Sequence, residues 1–307
     1  MSLTIATRRS LLALWQTRHV ASLLKQHCGL DSNLLELSTR GDEKLDRSLA
    51  AIGGKGLFLK ELEEAMLAGD ADLAVHSCKD VPVDLDERFC IAAVLPGACP
   101  WDAFVSNHFA NFDALPKGAK VGTASPRRQL QLLHHRPDLQ VDIIRGNVQT
   151  RLQKLDDGEF DAILLACAGL ERLGLQTRIR AQLKAPEWLP APGQGVIVIE
   201  CCSDNQQVRE ILKKLHHSPQ SLLTLTERQV SAELEGDCHT PLGVYAQINE
   251  QNEIEIQALL GFDIEPDKAA RLVRTTTRGP IDQAHELANA TAKDLRQKIA
   301  QFNYQPC

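Results

Sequence analysis

Polar groups crowd the carboxyl end of one apolar run in this chain, Val75-His76-Ser77-Cys78-Lys79-Asp80-Val81-Pro82. Open α/β sheets bind ligands at such strand ends. A carboxylate there suits proton transfer or the stabilisation of a developing cation. By position alone Asp80 and Lys79 fit a solvated turn pair equally well, and His76, inside the run, reads as a satisfied core histidine. A second cluster, Gly122-Thr123-Ala124-Ser125-Pro126-Arg127-Arg128-Gln129, reads as a strand end, a helix cap at Ser125 and Pro126 at the favoured first helical position. Helix N-termini attract anions, and two arginines in the first turn oppose the macrodipole at a local cost. An anion site accounts for that cost, and an exposed basic turn is the competing expectation, ranked second.

Arginine recurs at comparable places: Arg8 after the first apolar run, Arg145 at the end of another, Arg151 one turn into the next helix, and Arg172 after Ala166-Cys167-Ala168-Gly169-Leu170. Any one of them suits the surface. Their shared topology suggests a cleft between two domains, lined by guanidinium forks that fit carboxylates. Cys238 stands in a loop between a helix and a strand, flanked by Gly236 and Pro241. A cysteine so placed is a candidate for covalent chemistry, a weak one alone, and no histidine-acid partner is evident by spacing.

The elements that must carry these residues follow from apolar periodicity. Residues 1–95 alternate apolar runs with helical patterns, as parallel sheets covered by helices do. A strand at 3–6 precedes a helix capped by Ser10, with Ala13, Leu14, Thr17, Val20, Ala21 and Leu24 on one face. Gly53-Gly54-Lys55-Gly56 opens a second helix with Phe58, Leu62, Ala65 and Met66 on its stripe, ending near Gly69, before a strand at 72–76. The alternation restarts with strands at 119–122, 141–144 and 161–165 and helices from Pro126 and Val148. After the turn-rich stretch 189–195, a strand at 196–199 suggests a crossing back to the first domain. A helix at 220–235, strands near 242–249, 253–261 and 271–277, and a helix from about 281 argue for a three-stranded antiparallel sheet. The expected division is therefore an α/β domain from 1–95 and 196–215, a second from 100–190, and a small α+β domain over 218–307.

Composition narrows the function classes. With 307 residues the chain is too long for one core, and a net charge of −6 with only 4% aromatic residues disfavours nucleic acid as a partner. Nine cysteines, an odd number with no CxxC pair, read as free thiols in a reducing compartment, and no metal site is expected. No apolar run reaches the roughly 18 residues of a membrane span, and the N-terminus lacks the layout of a secretion signal. A soluble, intracellular protein is expected.

Five ordered motifs, Ile5-Ala6-Thr7-Arg8-Arg9-Ser10, Gly53-Gly54-Lys55-Gly56-Leu57-Phe58, His76 to Pro82, Arg145-Gly146-Asn147-Val148 and Leu234-Glu235-Gly236-Asp237-Cys238, resemble those of the porphobilinogen deaminases along essentially the whole chain. The resemblance implies two α/β domains like the lobes of a periplasmic binding protein and a third domain carrying a dipyrromethane cofactor through a thioether to Cys238. It implies that Ser77, Lys79, Thr123, Ser125, Arg127, Arg128 and Gly146 bind the cofactor. Arg8, Ser10, Lys55, Arg145, Arg151 and Arg172 would then meet the substrate porphobilinogen and the growing chain, and Asp80 would be the catalytic carboxylate. A cytoplasmic monomer making hydroxymethylbilane for haem synthesis is the corresponding expectation. This chain departs from the family pattern at Cys78, commonly methionine, at Asp237, commonly glycine, and at Ala51, lysine in some members. A solute receptor without catalysis shares the two-lobed architecture and is the main competing expectation.

Overall fold

The computed structural model describes residues 2–38, 59–235, 240–263 and 270–302. The glycine turn with Lys55 and Phe58, and the loop with Asp237 and Cys238, lie outside the described residues. The first part of the chain forms β1 (Ser2–Arg8), α1 (Leu11–Cys28), β2 (Asp31–Leu37), α2 (Lys60–Ala68), β3 (Leu73–Ser77) and β4 (Phe89–Val94). There follow β5 (Asp102–Val105), β6 (Lys120–Gly122), α3 (Pro126–His135), β7 (Gln140–Asp142), α4 (Val148–Asp156), β8 (Ala162–Ala166), α5 (Cys167–Arg172) and β9 (Ala181–Leu183). The last part forms β10 (Ile197–Cys202), α6 (Gln206–Leu212), α7 (Ser218–Glu233), β11 (Leu242–Ile248), β12 (Glu253–Asp263), β13 (Arg271–Pro280) and α8 (Ala284–Ala300).

One compact unit comprises Met1–Ala98, Arg172–Gly174 and Gly195–Ser221. Its sheet has the order β2-β1-β3-β10-β4. The Ser10 side chain accepts from the Ala13 amide to start α1, and Gly29, at φ 67°, closes the helix with its N–H on the carbonyls of Leu24 and Lys25. Leu14, Thr17, Val20 and Leu24 are buried as the periodicity predicts. Val20 and Leu24 pack with Leu3, Ile5, Leu73, Val75, Ile197 and Ile199 into the core.

The expectation of a parallel sheet needs correction. β10 runs antiparallel to both β3 and β4. It is buried on both faces, Glu200 included, as for any strand covered on both sides, so periodicity carries no sign of direction.

A second unit comprises Cys99–Glu171, Leu175–Gln194 and Leu222–Cys307. Its five-stranded sheet, β7-β6-β8-β5-β9, repeats the pattern of the first, with β5 inserted antiparallel between β8 and β9. The same unit holds the antiparallel sheet β11-β12-β13, expected from the alternating strands. That sheet has its own core, in which Val244, Ile254, Ile256 and Ala258 meet Ala288, Ala292 and Leu295 of α8. It also touches α3: Gly261 lies against Leu130, where a Cβ would not fit, and the Ala270 amide donates to the Leu133 carbonyl at 3.3 Å.

Candidate active site

In the first unit, parallel pairing of Ala6 with Ala74 brings the carboxyl ends of β1 and β3 together, so Arg8 comes level with His76. Ser77 leads into one 3-10 turn, Cys78–Asp80. Cys78 is fully buried and its amide donates to the Val196 carbonyl at 2.9 Å, while the Val81 amide closes the turn on the Cys78 carbonyl at 3.1 Å. That plug leaves Lys79 half-buried and turns Asp80 out to solvent. His76 is the core histidine that the sequence suggests: its Nε2 lies 2.8 Å from Glu200 Oε2, both residues buried. Gln16, buried on α1, donates from Nε2 to Ser77 Oγ at 2.9 Å, and Thr17 Oγ1 donates to Thr7 Oγ1 at 2.7 Å. These two bonds fasten the helix to the strand ends. Arg172 donates from Nη2 to the Gly195 carbonyl at 2.6 Å.

In the second unit, Ser125 caps α3 by accepting from the Arg128 amide at 3.4 Å, Pro126 sits at the first turn, and Thr123 Oγ1 accepts from the Ser125 amide at 3.2 Å. Arg127 and Arg128 do not form an exposed basic turn; they are 4% and 6% exposed. Both point at Asp102, which is fully buried at the start of β5. Arg127 donates from Nη1 to Asp102 Oδ2 at 2.6 Å and from Nη2 to Oδ1 at 3.2 Å, and Arg128 from Nε and Nη2 to Oδ1 at 3.0 and 2.7 Å. Trp188 Nε1 and Gln194 Nε2 complete the shell at 2.7 and 2.8 Å. Burial opposes ionisation of Asp102, but the two guanidiniums and their hydrogen bonds outweigh it and hold the carboxyl well below the usual range. Burial, and then the neighbouring Arg128, lower the pKa of Arg127, against the pull of Asp102.

Two guanidiniums on one carboxylate leave a positive charge in excess, and Arg127 Nε is buried with no hydrogen-bond partner. Such a cluster suits a further carboxylate. Around α4, Gly146 has φ 105° and Asn147 Oδ1 caps the helix on the Thr150 amide at 2.9 Å. Arg151 Nε donates to the Gly146 carbonyl at 2.8 Å, and Arg145 is half-buried beside it.

Sequence reasoning puts Ser77, Lys79 and Asp80 at one strand end and Arg8 at another; the pairing of β1 with β3 makes those two strand ends neighbours. It misses Asp102, Gln16 and Glu227. Asp102 has a weak signal, a lone acid abutting the apolar Ala103-Phe104-Val105. Glu227, on α7, accepts from the Gly193 and Ala246 amides at 2.7 and 2.9 Å, and burial pushes its carboxyl up to about 7. No local pattern marks it.

Comparison with known proteins gives two family models: "Porphobilinogen deaminase, dipyromethane cofactor binding domain" over residues 3–210, and "Porphobilinogen deaminase, C-terminal domain" over residues 222–297. The chain is 51% identical over 300 residues to the porphobilinogen deaminase of Xanthomonas axonopodis pv. citri, covering 97% of each chain. Against that of Xylella fastidiosa it is 51% identical over 294 residues, covering 95% of each. Among solved structures, an ABC-transporter periplasmic substrate-binding protein from Coxiella burnetii is 12% identical with a TM-score of 0.45, covering 74% of this chain and 96% of the other.

Proposed function

The chain belongs to the porphobilinogen deaminase family, and on that premise we propose that it joins four porphobilinogen molecules head to tail on a covalently held dipyrromethane and releases hydroxymethylbilane. The observation that carries the reading is 51% identity across 97% of the chain.

Loss of ammonia from porphobilinogen leaves positive charge on its pyrrole ring. Asp80 is the group assigned to that charge: its carboxylate stands at the sheet's carboxyl edge, turned outward by the buried Cys78, where it can hold the pyrrole N–H. The same carboxylate can pass the protons of the leaving amine and of the α-carbon that forms the new bond. Arg8, Ser10, Lys55, Arg145, Arg151 and Arg172 would orient the substrate's acid arms rather than take part in bond changes. When bound, the dipyrromethane supplies the pyrrole carbon from which the product grows.

The excess charge of the Arg127, Arg128 and Asp102 cluster fits its carboxylates, with Ser77, Lys79, Thr123, Ser125 and the Gly146 backbone as further contacts. The Ser125 hydroxyl accepts from a backbone amide, so its own proton remains for an anion. We assign the covalent link to Cys238, carried by a domain over 218–307, with lobes over 1–95 plus 196–215 and over 100–190.

We also propose a monomer in the cytoplasm. The cysteines among the described residues are free thiols, and no helix among those residues is long and apolar enough to cross a membrane. Light scattering tests the monomer.

Intact mass tests the function: the isolated protein should be heavier than its sequence by a dipyrromethane, Cys238→Ser should lack the addition and Cys78→Ser should keep it. A wild type of bare mass with full activity would sink the assignment, and a bare, inactive one would favour a solute receptor.

A further inference from the structure

We propose that a surface pocket on the first unit is a second docking place for carboxylate-bearing pyrroles, holding the distal rings of the product as it lengthens. This inference rests on the function proposed above. The pocket, of about 440 Å³, is lined by Leu11, Trp15, Arg18 and His19 from α1, by Arg172 at the end of α5 and by Leu173 just after it. The four α1 residues recur at helical spacing, so they form one stripe on the outward face.

Core packing does not account for that stripe. Leu11 is 55% and Trp15 37% exposed, and both sit in a concave surface with two guanidiniums rather than scattered singly. The Arg172 guanidinium lies 5.9 Å from the Trp15 ring centroid and is held in place by its bond to the Gly195 carbonyl. The His19 ring stacks on the same indole, with centroids 5.2 Å apart and planes at 19°. Burial, then the nearby Arg172, push the His19 pKa below its ordinary value, so the imidazole is neutral near pH 7 and offers hydrogen bonds rather than charge. Apolar side chains to meet a flat ring, and two guanidinium forks to meet its short acid arms, are what a pyrrole dicarboxylate requires.

The location suits a chain that grows. Gln16, next to Trp15 in sequence but on the buried side of α1, is bonded to Ser77, three residues before Asp80, so the same helix carries the pocket and braces the strand-end site. Arg18 lies eight residues beyond the Ser10 cap, roughly 12 Å along the helix at the usual rise per residue. Arg18 and Arg172 therefore offer the acid groups of earlier-added rings a place in the same unit.

The test uses the holoenzyme. Wild type, Arg18→Ala, Trp15→Ala and a control, Lys25→Ala at the far exposed end of α1, are given limiting porphobilinogen, and the enzyme-bound adducts are followed by intact mass. Cofactor mass and the rate of the first addition should match wild type in every variant. The third and fourth additions should slow about tenfold or more in Arg18→Ala and Trp15→Ala, with partial recovery in Arg18→Lys and none of this in Lys25→Ala. Adduct ladders indistinguishable from wild type would overturn the pocket's role, and so would a defect confined to the first addition. A wild type that carries no cofactor and forms no ladder would overturn the underlying function instead.

Discussion

Asp80 is the residue on which the chemistry is expected to turn. Asp80→Asn keeps the size and one acceptor but removes the charge and the proton exchange, so turnover should fall by two or more orders of magnitude, within the range of a lost general acid-base group. Asp80→Glu keeps the carboxylate displaced by a methylene and should retain more activity than the amide, though a misplacement of this kind can still cost on the order of a hundredfold. Steady-state assays with cofactor content checked by mass decide it: an Asn variant that holds cofactor and turns over normally would return Asp80 to the status of a solvated turn residue. Glu227 makes a different demand on the protein. With its carboxyl pushed up to about 7 by burial, the folded chain keeps a proton that the unfolded chain has released once the pH passes the ordinary value of 4.5. Its contribution to stability is therefore greatest below that ordinary value and is lost as the pH rises through 7. Glu227→Gln removes the titration and adds a pH-independent offset of about 1 kcal/mol, because the amide cannot accept from both backbone N–H groups. Relative to this variant, wild type should lose on the order of 2 to 3 kcal/mol between pH 4.5 and 8, read from urea unfolding. A difference that stays constant with pH would show that Glu227 is ionised throughout.

At the level of elements, the turn into α4 is tightly constrained. Gly146 sits at φ 105°, and a Cβ there would lie 2.8 Å from Thr150 Cβ and Cγ2. Gly146→Ala should cost about 1 to 3 kcal/mol and loosen the carbonyl that receives Arg151 Nε, lowering the melting temperature by several degrees. An unchanged melting temperature would mean that the turn simply rebuilds. Helix starts were the most legible part of the sequence where Ser10 and Ser125-Pro126 announce them by side-chain chemistry, and the strand ends were legible through the arginines beside them. Strand direction was not, since β10 and β5 are buried on both faces and show no polar alternation to give it away. The strand expected at 141–144 ends at Asp142, leaving Ile143 66% exposed, because an apolar pair alone does not say which residues find a neighbour to pair with. The partners of Arg127 and Arg128 were invisible for a related reason. Asp102 is 25 residues away in sequence, and only the insertion of β5 beside β8 brings it beneath α3.

For the whole molecule, the two inserted strands are alike in space and opposite in time. β5 precedes the strands it separates, so every strand of the second five-stranded sheet exists once residue 183 has been made. β10 follows the strands it separates, and among the described residues β4 has no other neighbour in its sheet, so the first sheet waits for residues 197–202. On a ribosome the later-made sheet should thus close before the earlier-made one, against the usual N-terminal-first order, while the pairing edges of β3 and β4 stay open to other chains. Nascent chains arrested with residue 190 just outside the exit tunnel should resist limited proteolysis between 100 and 183 and be cut readily before 98; protection in the opposite order would show that β4 docks without its bridging strand. An open pair of apolar edges during synthesis is a reason for this enzyme to depend on chaperones in proportion to how slowly the segment between β9 and β10 is translated.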